Sequence, residues 1–501
     1  MYLPKFEEKI AGVSAFYAAE KPRLALDKLK YLERRGVFTP EEEWQLLLCY
    51  SNCYYRMFDL DKQLDYLWRS VTTTLGQPLV MQQTNYSDYL MLLHYADNVT
   101  DDFMRERHFI YDTLMSTTER LPYDVSRHRH KRLRIGYIAD TFAQNVGSLF
   151  TLPLFTDYNR DRFEIYCYGL RPWAEDAYLP QFIASHVKKI RAFPRTTPFA
   201  DIAREIYADE IDILFDLDVH NAGGRTLMVA GYKPAPVQMA GIGYMNTSGL
   251  KAMDYFLSDV NLDPPGENDA DFAEKLIRLP GSHFCFNDIT VGKQPVTVHK
   301  TSPHIRFAVF NNFFKITDRM IKAWKEILLA VPDSTLLLKS SMHRTGAVEG
   351  VKKKLKTFGL PLDRITVEDA SNDYYLAYAD TDIILDTFPY TGGTMTCDAL
   401  YHGVPVVNLR GRRHGTRFGY SLLKNIGLEE LSSDTVEGYI KTAVALAGDK
   451  ELISALHRQI PRRFQNSPIM DKSSYVRQME QIYEEIWREK NRGGAAPTPP
   501  Q

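Results

Sequence analysis

The spacing of apolar positions changes character once along the chain, near Leu133. Up to about Leu121 hydrophobic residues recur at helical spacing with few strand signals. Leu29-Lys30-Tyr31-Leu32 returns thirty-five positions later as Leu64-Asp65-Tyr66-Leu67. That interval fits stacked helix hairpins of about 34 residues, since one hairpin cannot bury its apolar face alone. The pattern predicts an all-α, helical-repeat region over 1–125 that docks a protein or peptide; a plain helical bundle is the alternative. Tyr50, Tyr54, Tyr55 and Trp68 could line the docking surface, although aromatics at helical spacing more often form core.

From Leu133 onward short apolar runs alternate with helical stretches. Residues 133–140, 163–170 and 211–217 read as buried strands, with a helix around Phe199–Ala208. The alternation restarts at strand 305–310, followed by helix 316–331, strand 334–339, helix 348–358 and strand 364–368. A helix near 374–378, strand 382–387, a glycine turn with its own helix, and strand 405–409 complete the second series. Buried strands alternating with helices predict two doubly wound, Rossmann-like α/β domains built on parallel sheets. They occupy 131–290 and 300–465 and join within about 285–303, where Lys293-Gln294-Pro295 reads as a linker. A last helix within 466–490 carries an apolar stripe (Tyr475, Val476, Met479, Ile482, Tyr483, Ile486 and Trp487) and must pack on something. The tail 491–501 is expected to be disordered from its composition.

Composition narrows the partners. The 501 residues are 44% hydrophobic and 25% charged, an ordinary globular balance with room for two or three domains. Sixty-one basic against sixty-three acidic residues leave a formal net charge of −2, which argues against nucleic acid as a bulk partner. One basic run, Arg127-His128-Arg129-His130-Lys131-Arg132-Leu133-Arg134, reads as a solvated linker rather than a phosphate-binding patch. Five cysteines at irregular spacing give no disulfide framework, and Cys49 and Cys53 lack companions for a zinc site. The first residues lack a signal peptide's apolar core and no apolar stretch is long enough to span a bilayer. A cytoplasmic protein without a membrane span is expected.

The segment Thr391-Gly392-Gly393-Thr394-Met395-Thr396-Cys397-Asp398 follows a buried strand and opens a helix. Glycines let backbone approach a ligand, and the first amides of a helix are unpaired and favour negative charge. Lys315 stands just after the first strand of the same half, in Asn311-Asn312-Phe313-Phe314-Lys315. A lysine and a helix N-terminus at one sheet edge would suit a diphosphate. Asp216-Leu217-Asp218 has the spacing of a metal-binding Asp-x-Asp, but it recurs at Asp59-Leu60-Asp61 and Asp380-Thr381-Asp382. Chance explains it, and no manganese site is predicted.

Asn311–Lys315, Asp386-Thr387-Phe388-Pro389-Tyr390 with Gly392–Thr394, and Pro234-Ala235-Pro236-Val237-Gln238 resemble the catalytic region of bacterial O-linked N-acetylglucosamine transferases. So do Gly243-Tyr244-Met245-Asn246-Thr247-Ser248-Gly249 and Gly403-Val404-Pro405-Val406-Val407. The resemblance covers about 133–490, and the helical region is loosely similar to that family's tetratricopeptide repeats. It implies a GT-B architecture, a UDP-sugar co-substrate, no cofactor, and inverting, metal-independent transfer to a protein hydroxyl. It also implies that the last helix crosses back onto the first α/β domain. Donor-binding positions implied by the match are Asn312, Lys315, Tyr374, Gly392, Gly393, Thr394, Met395 and Asp398, with Gly243, Tyr244 and Met245 in a sugar-contacting loop. Lys315 would neutralise the leaving diphosphate, Asp398 would hold the ribose and Tyr374 would stack on uracil. On the acceptor side the match implies Asp140, Asn145 and His220. The chain departs from the family at several of these positions: Thr141 and Asn145 replace its aspartate and histidine, Met395 a threonine, Met245 a proline and Tyr374 a histidine, and Ser371 and Ala377 stand where the animal enzymes carry a lysine and an arginine.

The expected reaction moves GlcNAc or another hexose to serine or threonine of a protein such as flagellin or a surface adhesin. His220 is the candidate base, or else a histidine satisfied structurally at a strand end. The alternatives are a non-catalytic adaptor that binds a client protein, a GT-B enzyme with an asparagine, glycan or lipid acceptor, and a nucleotide-sugar epimerase on the same plan.

Overall fold

A computed structural model describes residues 3–143, 147–287, 297–300, 302–343 and 346–493. The chain opens with eight α-helices: Pro4–Lys9, Ala11–Ala18, Pro22–Arg34, Glu43–Arg56, Leu60–Thr72, Leu79–Leu93, Asp101–Phe109 and Tyr111–Leu114. Asp59 and Thr100 cap two of them, accepting from the Lys62 and Phe103 amides. Leu64, Leu67 and Val71 make the buried face of the fifth helix. Cys49 and Cys53 share one buried face of the fourth, where the Tyr17 hydroxyl lies 3.5 Å from Cys53 Sγ.

The first sheet has seven parallel strands in the order β3-β2-β1-β4-β5-β6-β7. They are β1 Leu133–Ala139, β2 Phe163–Gly169, β3 Lys189–Ala192, β4 Ile213–Asp216, β5 Val237–Gly241, β6 Tyr255–Asp259 and β7 Lys275–Leu279. The second has six parallel strands in the order β10-β9-β8-β11-β12-β13. These are β8 Arg306–Asn311, β9 Thr335–Ser340, β10 Ile365–Glu368, β11 Ile383–Leu385, β12 Val406–Leu409 and β13 Ser432–Ser433. In each sheet the chain winds outward from a central strand and then returns to its other side. The loops therefore diverge at β1/β4 and at β8/β11, the crevices where doubly wound sheets bind ligands. This is the two-domain GT-B plan, preceded by a helical region.

The last helix, Lys472–Gly493, crosses onto the first sheet's domain, where the Tyr483 and Tyr137 hydroxyls meet at 2.9 Å and Glu480 accepts from the Asn159 amide. It runs three residues into the stretch expected to be disordered; 494–501 and the linker Lys293-Gln294-Pro295 lie outside the described residues. Between the two α/β halves His414 and Asp263 form a buried pair at 2.6 Å. Burial alone would raise the Asp263 carboxyl, but His414, Ser258 and Asn268 together hold it below its ordinary value. No helix among the described residues is long and apolar enough to cross a membrane.

Candidate active site

The second sheet's switch point gathers the donor-side candidates. Strand β8 delivers Asn311, whose amide donates to Thr387 Oγ1 at 3.0 Å, tying the loops after β8 and β11 together. The Asn312 side chain accepts from the Phe314 amide and starts a tight 3₁₀ turn, Phe313–Lys315, that aims the lysine inward. Lys315 is 9% exposed; its Nζ donates to the Thr391 carbonyl at 3.2 Å and sits 3.7 Å from the centre of the Tyr390 ring. Burial pushes its ammonium down to about 8, and the neighbouring Asp386 carboxylate opposes that shift.

Asp386 organises the glycine turn. One carboxylate oxygen accepts from the Gly392 amide at 2.9 Å and the other from Asn408 Nδ2 at 2.9 Å. A β-carbon on Gly392 would lie 2.5 Å from Thr396 Oγ1 and 2.9 Å from Asp386 Oδ1, so only glycine fits. Gly393 then precedes the helix Thr394–Tyr401 without a side-chain cap, which leaves the amides of Thr394, Met395 and Thr396 for an incoming anion. Asp398 lies one turn along that helix. Its Oδ2 accepts from the Tyr374 hydroxyl, while Oδ1 is buried without a protein partner. Burial raises its carboxyl to about 6, with the Tyr374 bond opposing. The structure thus brings together Asn312, Lys315, Gly392, Gly393, Thr394, Met395, Tyr374 and Asp398 along the carboxyl edge of β8 and β11.

The first sheet's switch point is acidic. Asp140 follows β1, and its backbone amide donates to Asp218 Oδ2 in the loop after β4. Arg171 Nε pairs with Asp140 Oδ2 at 3.0 Å. Asp216 Oδ1 accepts from the amides of Asp218 and Val219 at 2.9 Å. Asp216 therefore caps the turn after β4, while Asp218 ties that turn to the loop after β1. Burial and the adjacent carboxylates hold Asp218 up at about 7; burial alone sets Asp216 at about 6. Asp218 lines a small cleft with Thr141, Leu217 and Ile242 at the ends of β1, β4 and β5. The sequence offered this residue only as half of a chance Asp-x-Asp. Its signal was position, since two carboxylates end a buried strand and only one of them can cap the turn. Asn145 lies outside the described residues.

One expectation needs correction. His220 is fully buried, with Nδ1 3.0 Å from Ser87 Oγ and Nε2 3.0 Å or closer to the Ser248 carbonyl (2.9 Å). The carbonyl requires a proton on Nε2, which makes Nδ1 the acceptor of the Ser87 hydroxyl; no lone pair is left for a substrate proton. Burial and the neighbouring His108 hold the ring neutral, well below its ordinary value. Tyr244 and Met245, in the loop expected to contact the sugar, are 1% exposed each. Tyr244 OH meets His108 Nε2 at 2.9 Å, and the Met245 carbonyl accepts from the Gly415 amide at 3.1 Å. Gly243 is pinned beneath them; a β-carbon there would lie 1.9 Å from the Leu217 carbonyl oxygen. This loop fastens the helical region and both sheets together.

Both the sequence and the fold are shared with known proteins. Residues 106–294 and 296–479 match glycosyl transferase family 41. The chain is 32% identical over 410 residues to tomato (Solanum lycopersicum) SPINDLY, described as a probable UDP-N-acetylglucosamine–peptide N-acetylglucosaminyltransferase, covering 80% of this chain and 44% of that one. It is 28% identical over 379 residues to Arabidopsis thaliana SEC, described in the same words, covering 71% of this chain and 37% of the relative. The chain thus spans less than half the length of these curated relatives. Among solved structures, a mutant of the Thermobaculum terrenum O-GlcNAc transferase superimposes with a TM-score of 0.80 at 26% identity, over 93% of this chain and 88% of that one. With the family match extending over both sheets and into the start of the crossing helix, the chain belongs to glycosyl transferase family 41.

Proposed function

We propose that this chain transfers a hexose, GlcNAc first among the candidates, from a UDP-sugar to a hydroxyl of a protein. The observation that carries the proposal is the buried Lys315, held on the Thr391 carbonyl in the turn that leads into an uncapped helix N-terminus at the β8/β11 switch point. The acceptor oxygen attacks the anomeric carbon from the side opposite UDP, forming the new glycosidic bond. The bond from that carbon to the β-phosphate oxygen breaks, its electron pair leaves with UDP, and the configuration inverts. Lys315 and the Thr394–Thr396 amides meet the charge that develops on the diphosphate, so the step needs no divalent ion. Asp398 Oδ1 accepts from a ribose hydroxyl, and Tyr374, held against the other oxygen, flanks the base.

The acceptor proton goes to Asp218 in this reading. Its carboxyl sits near neutrality, where a base is both deprotonated and basic enough to act. The description of these relatives as peptide N-acetylglucosaminyltransferases supports a peptide acceptor; flagellin and surface adhesins are the first substrates to try. Intact-mass analysis of these proteins after incubation with a panel of UDP-sugars tests the proposal. A mass increment of one hexose or N-acetylhexosamine that survives removal of divalent ions supports it. UDP binding without any transfer across the panel would favour a client-binding adaptor instead.

A further inference from the structure

We propose a zinc-type divalent metal site at His128, His130 and Asp212, at the edge of the first sheet away from the active-site crevice. The basic run read from sequence as a solvated linker is not simply solvated. The side chains of His128 and His130 are 5% and 14% exposed, and both turn onto Asp212, which is 1% exposed. His128 Nδ1 lies 2.9 Å and His130 Nε2 4.0 Å from the same Asp212 Oδ1. Among the described residues this is the group of three ligand-type side chains whose donor atoms all fall within 4.8 Å of one another. A tetrahedral ion with bonds of about 2.0–2.1 Å needs ligand atoms about 3.3 Å apart, between the two observed separations. Closing the wider of these two takes less than one ångström of imidazole movement, and the two histidine nitrogens already lie within 4.8 Å of each other.

The surroundings suit a borderline metal. Two imidazoles and one carboxylate are a zinc-type donor set with a fourth position for water. Asp212 Oδ2 accepts from the Arg134 amide at 2.8 Å, which fixes the carboxylate and leaves Oδ1 facing the histidines. Arg127 and Arg134 approach the carboxylate of Glu210, at 3.7 and 3.1 Å, which itself lies 3.8 Å from His130 Nε2, and Arg134 also pairs with Glu164. The His130 Nε2 contact to the Glu210 carbonyl, 3.2 Å, is the hydrogen bond that the ion replaces. Asp212 directly precedes β4, and the histidines lie in the segment that joins the helical region to β1. Trp487 of the crossing helix packs its ring 5.9 Å from that of His128. A metal here clamps that joining segment to β4 and takes no part in transfer.

The experiment uses the full chain, free of any polyhistidine tag and stripped with chelator, titrated with Zn²⁺ against a chromophoric competitor. One equivalent is expected to bind and to raise the thermal midpoint. His130→Gln keeps a side chain able to donate to Glu210 and is expected to lose tenfold or more in Zn²⁺ affinity, as is His128→Gln, with UDP binding unchanged in both. Stoichiometric binding that survives both substitutions, or less than one equivalent bound to the parent chain, overturns the site.

Discussion

Lys315 must carry its proton to neutralise a diphosphate, yet the structure holds it near the pH at which that proton leaves. Without ligand its ammonium sits at about 8, lowered by burial. A bound diphosphate restores at least the ordinary lysine value of about 10.4. Linkage fixes the sign: binding takes up a proton whenever the free lysine has lost one, so affinity is flat below about pH 7 and falls above 8. Between pH 7 and 9 the neutral fraction of free Lys315 grows from about a tenth to about nine tenths, which weakens UDP about tenfold, or roughly 1.4 kcal/mol. Lys315→Arg is the control, because guanidinium keeps its charge throughout while titration of the uracil itself is unchanged. Calorimetry across this range should show the tenfold loss in the parent chain beyond whatever the arginine variant shows. Buffers of different ionisation enthalpy should reveal proton uptake approaching one per UDP at pH 9. Parallel curves for parent and variant, with no proton uptake, would refute the placement of the diphosphate on Lys315.

Three other outcomes follow from the site. Asp218 must be charged to accept a proton, so kcat/KM should climb as pH rises through about 7 and Asp218→Asn should remove that limb along with about 10²–10⁴ of the rate; an unaltered limb in the variant assigns it elsewhere. His220→Ala should act on stability, because it leaves the Ser87 hydroxyl and Ser248 carbonyl unpartnered at about 1–3 kcal/mol each. A collapse of kcat at an unchanged thermal midpoint would return the base role to this histidine. Asp398, held up at about 6, should weaken UDP binding as it protonates below that pH. Tyr374→Phe removes the bond that opposes the rise, so it should move the midpoint upward, as a pH series of UDP affinities would read.

Legibility in the sequence followed burial. Strands β1, β2, β4, β8 and β9 are near-continuous apolar runs and were readable as such. Strands β3, β5, β6 and β7 escaped because charge or polarity interrupts each one. In β5 the interruption is Gln238, fully buried, whose amide donates to the Ala230 and Ala252 carbonyls at 2.9 Å each. A satisfied polar residue in a strand interior looks from sequence like a loop residue. The same limit governs the site. The donor residues lie at strand ends and helix starts of one domain, so local pattern placed them along one edge. The fate of His220 depended on Ser87, 133 residues away, and that of Tyr244 on His108, 136 residues away. Local pattern carries no trace of such partners.

Those partners also decide what the helical region is for. An adaptor-like arm would touch the catalytic domains at a hinge and leave the donor site independent of it. Here the fourth helix lays Tyr55 on Phe314, centroids 4.5 Å apart, directly beside Lys315. The residues after the sixth helix bring Tyr95 to 5.8 Å from Tyr390, the ring beneath the lysine's ammonium. The region therefore packs directly against the proposed donor site. Removing the stack with Tyr55→Ala costs about 0.5–1.5 kcal/mol of aromatic contact. That loss loosens the 3₁₀ turn that holds Lys315 in place. UDP affinity should fall several-fold, and the downward shift of the lysine should relax as water reaches it, so the alkaline loss of affinity moves to higher pH. Affinity and pH dependence identical to the parent chain would mean that the stack is incidental and the arm acts on acceptors alone.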